Sequence, residues 1–277
     1  MIEYNGVSRI PGYLPRVNLM LDLGKYNLLG VKVSAIDYES AVNHVMNAAK
    51  NHQSYIVAAQ PVHGIMTAVL DKYYRYNLNR FDLVCPDGQP VRWALNLLYK
   101  TNLKDRVYGP NLTLYVCEKA AQQGANIFLY GSTPKVLEKL AFNLQQKFPH
   151  LKICGCISPP YRPLTIEEDA AFIKKIQTSE TDILFVGLGC PRQETWAFEH
   201  RELLNCPILC VGAAFDFHAG NIPQAPSWMQ RGGLEWAFRL WQEPKRLWKR
   251  YVLLNPLYLI LLFLQFIRVL PVEKWSR

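Results

Sequence analysis

The chain has 277 residues, of which 50% are hydrophobic and 19% charged, and 31 Lys and Arg against 22 Asp and Glu give a formal net charge of +9. This composition excludes a disordered tail, a collagen-like repeat and a disulfide-stapled miniprotein, and the length suffices for one large domain or two small ones. The charge is unevenly placed: residues 231–277 hold nine basic and three acidic side chains, two thirds of the excess in the last sixth of the chain.

Residues 1–27, with Gly6, Pro11, Gly12, Pro15 and Gly24, keep neither a helical nor a strand period for long and read as an irregular lead-in. They lack the unbroken apolar stretch and small-residue cleavage site of a secretion signal, so the main domain is expected in the cytoplasm. From Leu28 onward, short apolar runs alternate with amphipathic stretches. Residues 54–59, 81–85, 125–130, 151–157, 182–187 and 207–212 are rich in Val, Ile, Leu and Phe and apolar on both faces, as strands inside a covered parallel sheet are. Helix signals fall between them: Pro134 after Ser132-Thr133, a capping box from Thr165 to Glu168, and Gly124 closing a helix that begins near Asn111. The β-α alternation predicts an α/β fold over residues 28–233, an open, mostly parallel Rossmann-like sheet with helices on both faces. Its ligand is expected at the carboxyl ends of the strands. Seven cysteines, an odd set without C-x-x-C, point to a reducing compartment and to neither a disulfide framework nor a zinc site.

From Leu234 the pattern changes. Aromatic and basic residues, including Lys245, Arg246, Lys249 and Arg250, lead into an almost uncharged run at residues 251–267. At a rise of ~1.5 Å per residue such a run falls just short of a ~30 Å hydrocarbon core, and Asn255, Pro256 and Gln265 interrupt it. Residues 234–277 are therefore read as a basic and apolar helical appendage that lies in one leaflet and meets anionic headgroups. A helix buried on another subunit, making the protein a homo-oligomer, and a full span are the alternatives.

Four constellations could carry chemistry. Asp87, in V-C-P-D-G-Q-P, stands where a strand runs out on the ligand side of the sheet, the place for a general base. The same carboxylate could instead cap the helix starting near Pro90 or make an Asp-Gly turn. In F-V-G-L-G-C-P-R-Q-E, Gly187 and Gly189 allow close approach of a backbone to a ligand, Pro191 opens a helix whose N–H groups favour a diphosphate, and Gln193 is placed to bond a sugar or to sit on the helix surface. The third glycine of a dinucleotide fingerprint would fall at Arg192, and no P-loop occurs. Asp216 and His218, two apart on an expected extended segment, face one side as a pair or metal ligands. No D-x-D occurs among the nine aspartates, so a diphosphate's countercharge would come from arginines and helix ends rather than a bridging metal. Arg106 is one candidate, with a surface salt bridge to Asp105 or another acid as its plainer role. Arg239, Glu243, Arg246 and Arg250, spaced four, three and four apart, would put three guanidinium groups on one helix face, unless Pro244 restarts the helix.

The order of these segments is more specific than any one of them. L-L-G-V at 28–31, F-D-L-V-C-P-D-G-Q-P at 81–90, R-V-Y-G-P-N-L at 106–112, Y-G-S-T-P at 130–134, G-L-G-C-P-R-Q-E at 187–194, V-G-A-A-F-D-F-H-A-G at 211–220 and A-P-S-W-M-Q-R-G-G-L-E-W-A-F-R-L at 225–240 together resemble the WecG/TagA/CpsF glycosyltransferases, glycosyltransferase family 26, over about residues 28–250. The resemblance implies a bacterial enzyme of the cytoplasmic membrane face that moves N-acetylmannosamine, its uronic acid or another hexose derivative from a UDP donor to a polyprenyl-diphosphate-linked saccharide, with inversion and without a metal cofactor, in surface polysaccharide synthesis. By motif it implies Asp87 as catalytic base, Arg106 near the donor diphosphate, Gln193 at the sugar, and Arg239, Arg246 and Arg250 in a basic segment that closes over the site. Two departures stand out. Ala59-Gln60-Pro61 replaces the family's T-x-N, which removes a hydroxyl and an amide from the donor pocket and implies a changed sugar preference; and the apolar tail after Asn255 goes beyond the core family pattern. The competing reading is a peripheral membrane scaffold that keeps a sugar-nucleotide pocket without turnover. A nicotinamide oxidoreductase is disfavoured by Arg192, and nucleic-acid binding leaves the apolar run unexplained.

Overall fold

A computed structural model describes residues 20–270. The described chain enters as a hairpin, β1 (Asp22–Leu28) and β2 (Val31–Ile36), paired antiparallel. Its Leu29-Gly30 turn has φ of 54° and 86°, the left-handed pair whose twist matches that of the flanking strands. The irregular lead-in expected over residues 1–27 lies outside the described residues as far as residue 19, and from Asp22 a strand stands in its place. The first four residues of β1 are exposed, so no alternation marked it in the sequence.

After α1 (Tyr38–Lys50), capped by Asp37, the main sheet begins. In chain order follow β3 (Tyr55–Gln60), α2 (Val62–Leu70), α3 (Lys72–Leu78), β4 (Leu83–Pro86), α4 (Gln89–Tyr99), α5 (Gly109–Gln123), β5 (Asn126–Gly131), α6 (Pro134–Lys147), β6 (Lys152–Ile157), α7 (Ile166–Thr178), β7 (Ile183–Gly187), α8 (Arg192–His200), β8 (Pro207–Cys210), α9 (Ala214–His218), α10 (Ser227–Arg231), α11 (Glu235–Gln242) and α12 (Pro244–Phe266). The six strands β3 to β8 lie in the order β4-β3-β8-β7-β5-β6, with every pairing parallel. Strand β4 lies outside the central trio β3, β8 and β7 on one side and β5 and β6 on the other, and in open sheets of this kind the carboxyl ends of the strands are where ligands bind.

The apolar runs are continuous because successive residues serve two cores. Leu184 and Val186 face one cluster with Ile65, Tyr74 and Phe128, whereas Ile183 and Phe185 face the other with Val45, Leu112 and Leu209. The helix signals resolve as the sequence implies. Thr133 caps α6 with Pro134 in its first turn, Thr165 and Glu168 form a reciprocal capping box on α7, and Gly124 ends α5 in the left-handed region.

Pro244 does restart the helix: α11 ends at Gln242 and α12 begins at Pro244. α12 is the one helix among the described residues long and apolar enough to cross a membrane, yet one side of it belongs to the domain. Leu247 and Tyr258 are buried, the Tyr258 hydroxyl donates to the Pro90 carbonyl at 3.1 Å, and buried Gln265 donates to Asn27 O at 2.7 Å while accepting from Leu29 N at 3.0 Å. The opposite side exposes Val252, Leu253, Leu259, Ile260, Phe263 and Phe266. None of the seven cysteines is in a disulfide.

Candidate active site

Asp87 stands at the end of β4, held there by the sheet: its N–H donates to the Gln60 carbonyl at 3.1 Å, and the next strand-edge group, Pro86 O, accepts from Val107 N at 3.0 Å. Gly88, with φ of 132°, makes the turn into α4. The residue at the N-cap of α4 is Gly88, without a side-chain bond, so Asp87 is spared the capping role. Its half-buried carboxyl turns instead to the backbone N–H of Gly109 at the start of α5. A side chain at Gly109 would meet Ala59 Cβ at 3.2 Å and Asp87 Oδ2 at 3.4 Å, which is why the approach needs glycine. Burial pushes the Asp87 carboxyl up from 3.8 to about 6; Arg106, the Gly109 N–H and Arg239 pull it down, and Glu235 adds to the rise. A carboxylate tuned toward neutrality suits proton abstraction near physiological pH.

Arg106 is buried, its guanidinium lying 4.1 Å from the Tyr108 ring centroid. Asp105 is not its ion partner; that carboxylate accepts from the Arg106 backbone N–H at 2.8 Å. The guanidinium donates to Glu235 at 2.6 Å and to Gln230 Oε1 at 3.2 Å. The surface salt bridge weighed from sequence is therefore a buried pair, and its acid comes from α11. Burial pulls the Arg106 guanidinium down, but Glu235 and Asp87 together hold it above its ordinary range.

Arg239, also on α11, lies over the Phe217 ring at 5.6 Å, and its Nε is buried without a hydrogen-bond partner. The expected single face of arginines does not form, because the chain breaks between α11 and α12. Arg246 sits on the far side of that break, half-exposed and paired with Glu243. Arg250 belongs to α12, and its side chain lies outside the described residues.

Two glycines that look equivalent in sequence have different causes. A Cβ on Gly187 would meet the Phe215 ring at 2.6 Å, so its missing side chain is a packing requirement. Gly189 has φ of 81° and open space around its Cβ position, and this is the turn that leads to α8. The helix starts at Arg192, immediately after Pro191. Gln193 is not on the helix surface. It is 3% exposed, and its Oε1 accepts from Gly189 N at 3.2 Å.

Asp216 and His218 lie in the short helix α9, not on an extended segment, and they do not pair. His218 bonds the Pro110 carbonyl at 2.8 Å, and Asp216 accepts from Asn221 at 3.4 Å. Among the described residues no group of three or more His, Cys, Asp or Glu side chains is gathered as a metal site would require. Sequence reasoning missed Glu235 and Glu194 altogether. Glu235 stands 129 residues from Arg106, so spacing held no trace of their pairing. Gln60, at the middle position of Ala59-Gln60-Pro61, sets a buried carboxamide at the end of β3.

Comparison with known proteins places the whole chain, rather than this site alone, among glycosyl transferases. The chain is 31% identical over 202 residues to an N-acetylglucosaminyldiphosphoundecaprenol N-acetyl-beta-D-mannosaminyltransferase of Bacillus spizizenii (strain ATCC 23059 / NRRL B-14472 / W23), covering 73% of this chain and 76% of that one. It is 31% identical over 184 residues to the protein of the same name from Bacillus subtilis (strain 168), covering 66% and 69%. With the protein of that name from Staphylococcus aureus (strain MW2) it shares 26% identity over 227 residues, 80% and 87% of the two chains. The model of the Glycosyl transferase WecG/TagA/CpsF family matches residues 26–270, so the match runs through the apolar helix that had been expected to lie beyond the family pattern. The chain belongs to the WecG/TagA/CpsF family of glycosyl transferases.

Proposed function

We propose that this protein transfers N-acetylmannosamine or a related hexose from a UDP-sugar to a polyprenyl-diphosphate-linked saccharide, with inversion at the anomeric carbon. The observation that carries the reading is Asp87, a carboxyl at a strand end, pushed up to about 6 and flanked by buried Arg106. Ionised Asp87 takes the proton of the acceptor hydroxyl as that oxygen bonds to the anomeric carbon; the bond from that carbon to the UDP oxygen breaks, and its electron pair leaves with UDP. In this reading Arg106, Arg239 with its unpartnered Nε, and the turn at Gly189 stabilise the departing diphosphate without a metal. Glu235 occupies Arg106 until the diphosphate shares or displaces that contact. The relatives' names supply the acceptor class, a polyprenyl diphosphate carrying N-acetylglucosamine.

Such an acceptor lies in a membrane, and α12 offers the matching surface. Its inward side is fixed to the domain by Tyr258 and Gln265, while its outward apolar side, with exposed Trp241 and Trp248 nearby, suits burial at the headgroup boundary of the cytoplasmic face. This favours a helix lying along one leaflet over a span, since crossing would strip both polar anchors from their partners. The test is transfer from a panel of UDP-sugars to a short polyprenyl-diphosphate N-acetylglucosamine in detergent, with the product anomer assigned by NMR. One donor giving a product of inverted configuration is expected. Retention of configuration overturns the single-displacement mechanism, and release of no UDP from any donor overturns the transferase reading in favour of a scaffold.

A further inference from the structure

Behind the catalytic edge lies a polar cluster, centred on Glu194, to which the transfer step above assigns no role. Glu194, the residue after Gln193 in α8, is fully buried, and its Oε1 accepts two hydrogen bonds, from Gln193 Nε2 at 2.8 Å and from Gln60 Nε2 at 2.9 Å. Its Oε2 has no hydrogen-bond partner. Gln60 is fully buried as well; the Tyr74 hydroxyl lies 3.4 Å from its Oε1, and Gly64 leaves the room it fills, since a Cβ there would come within 1.7 Å of that oxygen. On the other side, Gln193 Oε1 accepts from the Gly189 backbone and sits 3.3 Å from where a Cβ of Gly212 would be. One carboxyl oxygen therefore joins the end of β3 to the glycine turn after β7.

The cluster has a direction. A carboxyl oxygen that accepts twice obliges both carboxamides to turn their nitrogen toward it. That choice leaves the Gln193 carbonyl on the Gly189 N–H, at a left-handed turn with open space where a Gly189 side chain would be. Replacing the oxygen by an apolar group removes the reason for this orientation and leaves two buried donors unsatisfied. Gln60 is also coupled to the base, because its carbonyl holds the Asp87 N–H.

We propose that Glu194 is a positioning residue: by holding Gln60 and Gln193 together it fixes the Gly189 turn against the end of β3, and so sets the geometry in which Asp87 and the leaving diphosphate are presented. The role in turnover rests on the transferase reading; the clamp itself does not. Glu194→Met keeps the bulk and removes the acceptor, and it lowers kcat/KM for the donor by roughly 10-fold or more, as small misplacements around a reacting centre do. Glu194→Gln retains an acceptor oxygen and stays within about threefold of wild type. The double variant Gln60→Met with Glu194→Met removes the orphaned Gln60 amide, so Tm recovers toward wild type while kcat/KM stays low, because Gln193 remains unheld. Recovery of kcat/KM together with Tm, or wild-type kinetics in Glu194→Met, overturns the proposal. If the wild-type chain transfers no sugar from any UDP donor, the transferase reading fails by itself. The clamp is then decided by hydrogen exchange of the Gln193 side-chain amide, slow in wild type and fast in Glu194→Met if it exists, and equal in both if it does not.

Discussion

Asp87 and Glu194 are both carboxyl groups raised by burial, but their surroundings divide the work between them. Asp87 stands at a strand end, with one backbone N–H and the charges of Arg106, Arg239 and Glu235 around it. Glu194 faces inward and is bound by neutral carboxamides, with no cation among the groups that set its protonation. A carboxyl balanced by nearby charges and open to a ligand can exchange a proton during a reaction, whereas one enclosed by amides orders its neighbours. Burial alone does not mark a catalytic acid; its partners and access do.

The comparison breaks most severely if the charges around Asp87 are removed. Arg106→Met leaves Glu235, largely covered, without its partner and should cost ~1–3 kcal/mol of stability, read as a fall in denaturation midpoint. Full stability in that variant would show that Glu235 is solvated and that α11 does not wall the site. Asp87→Asn should lower turnover by ~10²-fold or more while donor binding persists in ligand-observed NMR; near-normal turnover removes Asp87 from the base role.

The same substitution tests the electrostatics independently of activity. Because the folded-state pKa of Asp87, about 6, lies above its ordinary value of 3.8, the folded chain holds that proton more tightly than the unfolded one. The burial penalty is absent below pH ~4, grows as pH rises through about 6 and is complete above it. Asp87→Asn should therefore stabilise the protein by on the order of 2 kcal/mol at pH 8 and by nothing at pH 4, in paired thermal melts. In the intact enzyme, kcat/KM should fall on the acid side near pH 6 as Asp87 takes up its proton. Glu235→Gln should move that limb to lower pH, since Glu235 is the acid that raises Asp87. An upward or absent shift would mean that Arg106 relocates when its partner is neutralised.

The smallest expected effect concerns the outward side of α12. Ile260→Asp with Phe263→Asp alters residues that are 57% and 60% exposed, so Tm should stay within a few degrees, consistent with the ~0.5 kcal/mol scale of surface changes. Co-sedimentation with anionic vesicles should drop severalfold. Unchanged sedimentation together with a change in oligomeric state would assign that face to a second copy of the chain.

Much of this fold was legible because its strands are apolar on both faces. All six expected central runs became strands of one parallel sheet, with ends shifted by a residue or two, and the caps at Thr133, Thr165 and Gly124 lie where local hydrogen bonding requires them. β1 was not legible, since an exposed edge strand has no buried alternation. Nor was the reason for Gly187: the ring of Phe215 that forbids a side chain there arrives from after β8.

The sequence by itself determined the α/β alternation, the strand-end position of Asp87, the glycine turn at Gly189 and the basic and apolar character of the tail. These depend on a residue's immediate neighbours, through burial periodicity, φ preference and capping. Only the tertiary structure decided that Arg106 pairs with Glu235, that Gln60 and Gln193 share one oxygen of Glu194, and that Gln265 pins α12 to the turn between β1 and β2. Apart from the bond between neighbours Gln193 and Glu194, each of those contacts joins polar groups more than a hundred residues apart in the chain. Their energy comes from being paired where water is excluded, and water is excluded only once the sheet and its covering helices have closed.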